Sequence, residues 1–158
     1  MAGLLFTNEK LFLAGYKSFK GYITGIGGKQ KKDESLFATA IRETLEELLG
    51  IENVEPFELE LFENNIKPFK SFENTGYTHF CCTFIDLTLF LRFAYIIRKK
   101  TPFYDLFPAL LEELLLERKN AEESEISHLA ILPCVHNVVI AKHLVDDINL
   151  YEKLASMK

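Results

Sequence analysis

Residues 28–47 read GKQKKDESLFATAIRETLEE, and this stretch decides the fold. The glycine pair at 27–28 ends a preceding apolar run, because adjacent glycines favour turns and allow close approach of the backbone. A polar loop follows, and then apolar residues at helical spacing predict a helix over residues 35–49. Either Asp33 or Ser35 can cap the first turn of that helix.

Three carboxylates share one side of the predicted helix. At about 100° per residue, Glu43, Glu46 and Glu47 fall within an arc of roughly 100°. The residues expected to face the core lie on the other side and are Phe37, Ile41, Thr44, Leu45, Leu48 and Leu49. Like charges at these spacings destabilise a helix by roughly 0.2–0.5 kcal/mol per pair. Arg42 lies toward the edge of the arc, so we expect a divalent cation such as Mg²⁺ to neutralise the acids. A solvated acidic face is the alternative.

The spacing of these residues resembles the signature of the Nudix hydrolases. In that signature a glycine is followed after five residues by a glutamate, and after seven more by Arg-Glu and then Glu-Glu. Here Gly28 is followed after five residues by Glu34, and seven residues later come Arg42 and Glu43, with the acid pair at 46–47. The stretch that carries the signature, residues 28–50, covers about a sixth of the chain.

Three positions depart from the family pattern. Thr44 stands where an aliphatic residue is usual, and Ile26 stands where a proline often precedes the glycine pair. Leu49 occupies the usual place of the last glycine, which comes one residue later at Gly50. We interpret this shift as a one-residue extension of the helix, which leaves the spacing of the acids unchanged.

The resemblance implies a set of metal ligands. Glu43, Glu46 and Glu47 would face Mg²⁺, which Mn²⁺ could replace. Glu34 would be a supporting or water-mediated ligand, and the backbone of Gly28 could add a carbonyl oxygen.

The resemblance also implies catalytic roles. Arg42 would orient the glutamates through charge-assisted hydrogen bonds, and Arg42, Glu46 and Glu47 would form the catalytic set. The general base stays open, since it can be one of these glutamates or an acid from a distant loop. The candidates in such a loop, just before the last predicted strand, are Glu122, Glu123 and Glu125.

Two lysines are candidates for binding the substrate. Lys17 lies where the family often places a basic residue after the second strand. Lys29 belongs to a small basic group in the loop, which could contact a substrate phosphate or simply be solvated.

The rest of the chain predicts one mixed α/β domain over residues 1–158. Strands are predicted at residues 4–7, 10–16, 21–26 and 57–62, within 76–93, and at 126–132. Residues 64–74 are expected to be a loop, and further helices are expected from residue 108 to 119 and over 137–154. This order indicates a mixed central β-sheet with helices on both faces, as in the α/β/α sandwich of the Nudix family.

The composition limits the classes of function. The net charge of −5 does not suggest a protein that holds long nucleic acid by neutralising phosphates alone. No run of apolar residues is long enough for a membrane span, and we expect no signal peptide. The three cysteines lack metal-site spacing, so we expect them to pack in the core. Their odd number argues against a disulfide framework and indicates a cytoplasmic or other intracellular compartment. His79 could point into a cleft but is expected to be structural.

These observations lead to one main hypothesis about function. We expect a Mg²⁺-dependent pyrophosphohydrolase that cleaves a diphosphate linkage in a small nucleotide-like substrate. The alternatives are a hydrolase of the messenger RNA 5′ cap, similar to the viral branch of the family, and a catalytically silent domain that binds nucleotide. Many members of the family form dimers, which leaves a homodimer open.

Overall fold

A computed structural model describes residues 1–119, 121, 123–133 and 142–156. The strands are β1 (Ala2–Phe6), β2 (Leu11–Lys17), β3 (Tyr22–Thr24), β4 (Lys70–Asn74), β5 (Tyr77–Cys82) and β6 (His128–Pro133). The helices are α1 (Leu36–Leu49), α2 (Pro56–Asn65), α3 (Phe84–Ile97), α4 (Leu111–Leu116) and α5 (Lys142–Ala155). The protein is therefore of the mixed α/β class, as predicted.

The described strands form two three-stranded sheets rather than the single mixed sheet that we predicted. In the first, β5 lies between β1, which is parallel to it, and β4, which is antiparallel. In the second, β2 lies between β3 and β6, and both pairs are antiparallel. The two sheets separate because β1 and β2 meet only at an isolated bridge between Thr7 and Phe12.

Helices cover opposite faces of these sheets. Successive side chains of a strand point to opposite faces, and β1 is buried on both. Leu4 and Phe6 pack in a large core with α1, α2 and α3, whereas Leu5 packs in a smaller core with Leu144 and Tyr151 of α5. The side chains of β1 therefore enter two separate cores, one with α1, α2 and α3 and the other with α5.

Helix α1 begins and ends as its sequence predicts. The Ser35 hydroxyl accepts a 2.9 Å hydrogen bond from the Ala38 amide, which satisfies one free N–H of the first turn. Gly50 follows in the left-handed conformation, with a φ of 65°, and donates its amide to the Glu46 carbonyl. Most of the predicted core face is buried, including Ile41 and Leu45, and it holds α1 against β1.

The predicted strand at residues 57–62 is wrong, because this segment lies within helix α2. Pro56 occupies the first turn, and the Glu58 carboxylate accepts a 2.9 Å hydrogen bond from the Glu55 amide there. Leu59 and Phe62 are buried while Phe57 is 70% exposed. This is the spacing of a helix with one buried stripe, which the aromatic content had obscured.

The second wrong prediction concerns residues 83–93, which do not continue as strand. After β5, Thr83 and Asp86 form a capping box and start helix α3. Apolar residues occur all around this helix, so no alternation or helical stripe marked it in the sequence.

Other predicted boundaries also shift. The expected loop at residues 64–74 contains the end of α2 and all of β4. The helix expected over 108–119 is only the short α4, and the C-terminal helix expected over 137–154 is described as α5. The first three strands and the last strand are confirmed to within a few residues.

Strand β5 carries a histidine and two cysteines that are buried. His79 lies buried between the rings of Phe72 and Tyr77, and its Nε2 atom is 2.9 Å from Asp147 of α5. His79 is therefore enclosed among these side chains. Cys81 and Cys82 are buried free thiols, and the predicted role of Cys134 lies outside the described residues.

Among the described helices none is both long and apolar enough to cross a membrane.

The end of α1 provides a test of the fold. We expect Gly50→Ala to destabilise the protein more than Gly76→Ala. Both glycines have positive φ, at 65° and 78°, which costs alanine about 1–2 kcal/mol. At Gly50 an added Cβ would also lie 2.6 Å from Pro102, and such overpacking adds about 1–3 kcal/mol. At Gly76 it would meet no heavy atom within 4 Å. Equal losses of unfolding free energy for the two variants, measured by urea unfolding, would contradict the close packing of Pro102 against Gly50.

Candidate functional site

The acids of α1 lie in three different environments. The side chains of Glu43 and Glu46 are 15% and 27% exposed. Glu47 is buried, because it lies at the boundary between the acidic arc and the core face. The predicted arc therefore exists, but it is partly enclosed.

Arg42 lies among the acids rather than toward the edge of their arc, where the helical projection placed it. The residue is 3% exposed. Its Nη1 atom donates to Glu43 at 2.8 Å and to Glu46 at 3.2 Å. Its Nε and Nη2 atoms donate to the two oxygens of Glu34 at 2.8 and 3.1 Å. One guanidinium thus holds three carboxylates, which a helical projection could not show because it ignores the reach of the side chain.

Glu34 fixes the loop before α1. It accepts hydrogen bonds from the Thr39 hydroxyl at 2.8 Å and from the Lys31 amide at 3.1 Å, besides the pair from Arg42. Burial opposes its charge, but the hydrogen bonds from Arg42 and Thr39 hold the pKa of Glu34 below its usual value. The Lys29 carbonyl accepts from Arg42 at 2.8 Å, so Lys29 supports the site through its backbone, while its side chain is exposed.

Glu47 is a buried carboxylate with little compensation. Its Oε2 atom accepts a 2.6 Å hydrogen bond from the Gly27 amide. Burial, together with the charges of Glu125 and Glu43, raises the pKa of Glu47 to about 8, although the Gly27 hydrogen bond and the charge of Lys17 act in the opposite direction. A carboxyl group in this environment is costly to ionise unless a cation lies nearby.

The glycine loop lies directly against these acids. Gly28 exchanges two 3.0 Å backbone hydrogen bonds with Ala2, so its carbonyl already accepts one bond. A Cβ on Gly28 would overlap the carboxylate of Glu43, and one on Gly27 would overlap the Tyr77 hydroxyl. The absence of side chains therefore lets strand, loop and helix meet at the site.

Two predicted residues from distant parts of the chain come to the same region. Lys17, at the end of β2, forms an ion pair with Glu125, whose charge acts on Glu47. Glu123 is exposed in the turn before Glu125, and Glu122 lies outside the described residues. Of these loop acids, Glu125 is therefore the one whose charge acts on Glu47.

Arg118 is a residue that the sequence analysis missed. Its guanidinium donates to the carbonyls of Glu47 at 2.7 Å and of Ile126 at 2.8 Å, and also to that of Leu48. It stacks over Phe103 at 4.4 Å. Arg118 therefore ties the end of α1 to the segment that carries Glu125. A single arginine in a polar stretch gives no sequence signal for such a role.

The donor set fits a hard divalent cation in its chemistry. Glu43, Glu46 and Glu47 offer only oxygen ligands, which Mg²⁺ prefers, and the missing Cβ of Gly28 lets the Glu43 carboxylate lie directly against the loop backbone. Within the described part of the chain, no three His, Cys, Asp or Glu side chains converge as a metal site. Arg42 accounts for this arrangement, since it draws Glu43 and Glu46 toward itself.

Comparison with known proteins adds no family to this description. No family model matches the chain, and no curated protein matches it. Membership of the Nudix family is therefore not shown, and that interpretation stays a proposal.

The burial of Glu47 leads to a prediction about stability. We expect Glu47→Gln to raise the free energy of unfolding of the metal-free protein by about 1–3 kcal/mol at neutral pH. Folding raises the pKa of Glu47 to about 8, so the folded protein must take up a proton at this pH, whereas the amide does not ionise. The amide oxygen can still accept the Gly27 hydrogen bond. The matched control is Glu46→Gln, which loses a bond to Arg42 and should be neutral or slightly destabilising. Urea unfolding measures both, and an equal gain in the control would contradict the special environment of Glu47.

Proposed function

We propose that this protein is a Mg²⁺-dependent hydrolase of a diphosphate linkage in a nucleoside diphosphate joined to another group. The observation that carries the proposal is the buried carboxylate of Glu47 against the glycine loop, with Glu43 and Glu46 on the same helix. Such grouping of acids is unfavourable for stability alone, and a strongly perturbed carboxylate among charged partners is typical of a functional site.

We also propose that the fold is a Nudix-like α/β/α sandwich. Support comes from the two small sheets, whose faces are covered by α1 on one side and α5 on the other. The glycine loop joins β3 to α1, which is the placement that the family signature requires.

The residues of the site divide into ligands and supports. Glu43, Glu46 and Glu47 would hold the metal, and the Gly28 carbonyl could contribute its second lone pair. Glu34 is assigned a positioning role, because both of its oxygens are engaged by Arg42. Bound Mg²⁺ would neutralise the diphosphate and lower the pKa of a water molecule.

Glu125 and Lys17 complete the proposed chemistry. Glu125 is the favoured distal base, because it is exposed to solvent and its charge acts on Glu47. Lys17 is held at the same place by its ion pair with Glu125 and could attract a substrate phosphate. Among the box residues, Glu46 and Glu47 remain catalytic candidates together with Arg42.

The substrate class is tested by incubation with Mg²⁺ and a panel of substrates. The panel contains nucleoside diphosphate sugars, dinucleoside polyphosphates and long capped RNA, and phosphate-containing products are separated by chromatography. We expect cleavage of a small substrate at the diphosphate. Release of the methylated nucleoside diphosphate only from capped RNA would instead establish the cap-removing alternative.

Variants of the acids test the assignment of residues. We expect Glu46→Gln and Glu47→Gln to lower kcat by more than the roughly 10–100-fold typical of losing an outer-shell partner of a metal. Glu112→Gln, on α4, is the control and should keep full activity. Unchanged activity in both site variants would exclude the metal assignment, and an inactive wild type that still binds nucleotide would support a silent domain.

A further inference from the structure

Helix α3 exposes apolar side chains on the side that faces away from the core. Its inner side packs in the large core through residues such as Phe90 and Leu91. On its outer side Ile85 is 81% exposed and Ile96 is 54% exposed. More than half of the large apolar side chains that are exposed in the described part of the chain lie between residues 85 and 116. Such a concentration of exposed apolar residues is typical of a surface that contacts another molecule.

The segment that follows α3 extends this apolar surface. Leu106 is 77% exposed and Leu110 is 52% exposed. Two clefts of about 500 and 730 Å³ lie between this segment and α3, and most of their lining residues are apolar. Thr88 and Arg92 line both clefts, so the clefts are continuous along the helix. We refer to the outer side of α3, the two leucines and the two clefts as the α3 surface.

Positive charge is concentrated at the second, larger cleft. Arg92, Lys99 and Lys100 all line it. The acid that lines the same cleft, Asp105, forms an ion pair with Lys119. Asp105 therefore does not offset the other three cations, and this end of the α3 surface attracts anions.

The acids in and just after α4 do not cancel this positive charge. Glu112 lines only the first cleft, where Arg92 also lies. Glu113 and Glu117 line neither cleft, and Glu113 accepts hydrogen bonds from two backbone amides at the start of α4. The chain as a whole has a net charge of −5. The second cleft is therefore a positive region on an acidic protein.

We propose that the α3 surface binds the surface of a membrane that contains anionic phospholipids. Such a lipid carries a negative head group next to aliphatic chains, so one molecule matches both the cations and the apolar residues. The cations of the second cleft would contact head groups, while Ile85, Ile96 and Leu106 would enter the boundary between head groups and chains. Binding of this kind lies in the plane of the interface and needs no helix that spans the membrane.

Two side chains of the α3 surface have an amphipathic form that suits this boundary. Tyr95 is 46% exposed, and the ammonium group of Lys99 lies 4.3 Å above its ring. Tyrosine is enriched where membrane and water meet. At about 100° per residue, Arg92 falls on the same side of the helix as Ile85 and Ile96. Its aliphatic stem can lie among them while its guanidinium reaches the head groups.

A membrane fits this surface better than a soluble partner for two reasons. Single-stranded RNA would contact the cations, but RNA stacks its bases on aromatic side chains, whereas Ile85, Ile96 and Leu106 are aliphatic. A peptide helix would need an acidic residue opposite each cation, whereas lipid head groups move within the membrane and can match any spacing. This inference does not depend on the proposed hydrolase activity.

Sedimentation of the full chain with lipid vesicles tests the proposal. One set of vesicles contains phosphatidylcholine alone, and a second set also contains phosphatidylserine. We expect the wild type to sediment only with the second set, and less at high salt, because salt screens the attraction between charges.

Removal of the apolar contacts should weaken this binding. We expect the double variant Ile85→Ser, Leu106→Ser to lower the association constant by at least about tenfold, since each aliphatic side chain that leaves water favours binding. Phe19→Ser is the matched control, because Phe19 is 82% exposed in the turn before β3 rather than on the α3 surface. This control should bind as the wild type does, and circular dichroism establishes that each variant is folded.

Reversal of charge tests the role of the second cleft. We expect the double variant Lys99→Glu, Lys100→Glu to lower the association constant by at least about tenfold. The double variant Lys20→Glu, Lys67→Glu has the same net charge but changes exposed lysines outside the α3 surface. It should stay within about threefold of the wild type, because salt screens charges that lie away from the membrane.

Fluorescence can locate the inserted residues, because the chain contains no tryptophan. We expect the emission of Leu106→Trp to shift to shorter wavelength with the anionic vesicles and to be quenched by lipids with brominated chains. Phe19→Trp is the control, and its emission should not change.

Three results would overturn the proposal. They are no sedimentation with either set of vesicles, equal sedimentation with both sets, and unchanged binding of the double variant Ile85→Ser, Leu106→Ser. A wild type that ignores vesicles but binds a labelled single-stranded RNA, and loses it when Lys99 and Lys100 are reversed, would also contradict the proposal and would indicate a nucleic-acid surface instead.

Discussion

The buried guanidinium of Arg42 is the interaction on which the site depends. It lies between the glycine loop and α1 and holds Glu34, Glu43 and Glu46 together with the Lys29 carbonyl. Burial opposes its charge, but hydrogen bonds to Glu34 and Glu43 raise the pKa of Arg42, so it stays a cation. Without this charge, the acids of α1 would repel each other. A metal ion would therefore bind where Arg42 already neutralises part of the acidic charge, and it would compete with Arg42 for Glu43 and Glu46.

Glu47 is not among the acids that Arg42 holds, and this makes it the distinctive residue of the site. It has the Gly27 amide as a hydrogen-bond partner, while the nearby Glu43 and Glu125 disfavour its charge. Arg118 holds the backbone of Glu47 and that of Ile126 at the same time, which keeps Glu125 close. The fold thus holds a carboxyl group whose ionised form is unfavourable, at the place where the glycine loop, α1 and the segment with Glu125 meet. A bound cation would stabilise that ionised form.

The sequence predicted α1 well because its signals are local. Ser35 and Gly50 mark its ends, and fixed offsets place its acids on one side. The prediction failed at α3. Thr83 and Asp86 form a capping box there that is visible in the sequence, but the apolar composition of the segment led us to predict a strand. Helix geometry alone could not place Arg42 among the acids, because its position depends on the reach of a long side chain, and only the family resemblance implied its hydrogen bonds to the glutamates. The meeting of Lys17 with Glu125 depends on the register of β2 against β6, which pairs residues more than 100 positions apart.

The most direct test of the central claim is anomalous diffraction from crystals of this protein soaked in Mn²⁺, which can replace Mg²⁺ at carboxylate sites. The account predicts an anomalous peak beside the carboxylates of Glu43, Glu46 and Glu47, with Arg42 released from Glu43 and Glu46 but still paired with Glu34. A soaked crystal with no peak at this place, in which Arg42 keeps all three of its acidic partners, would contradict the account.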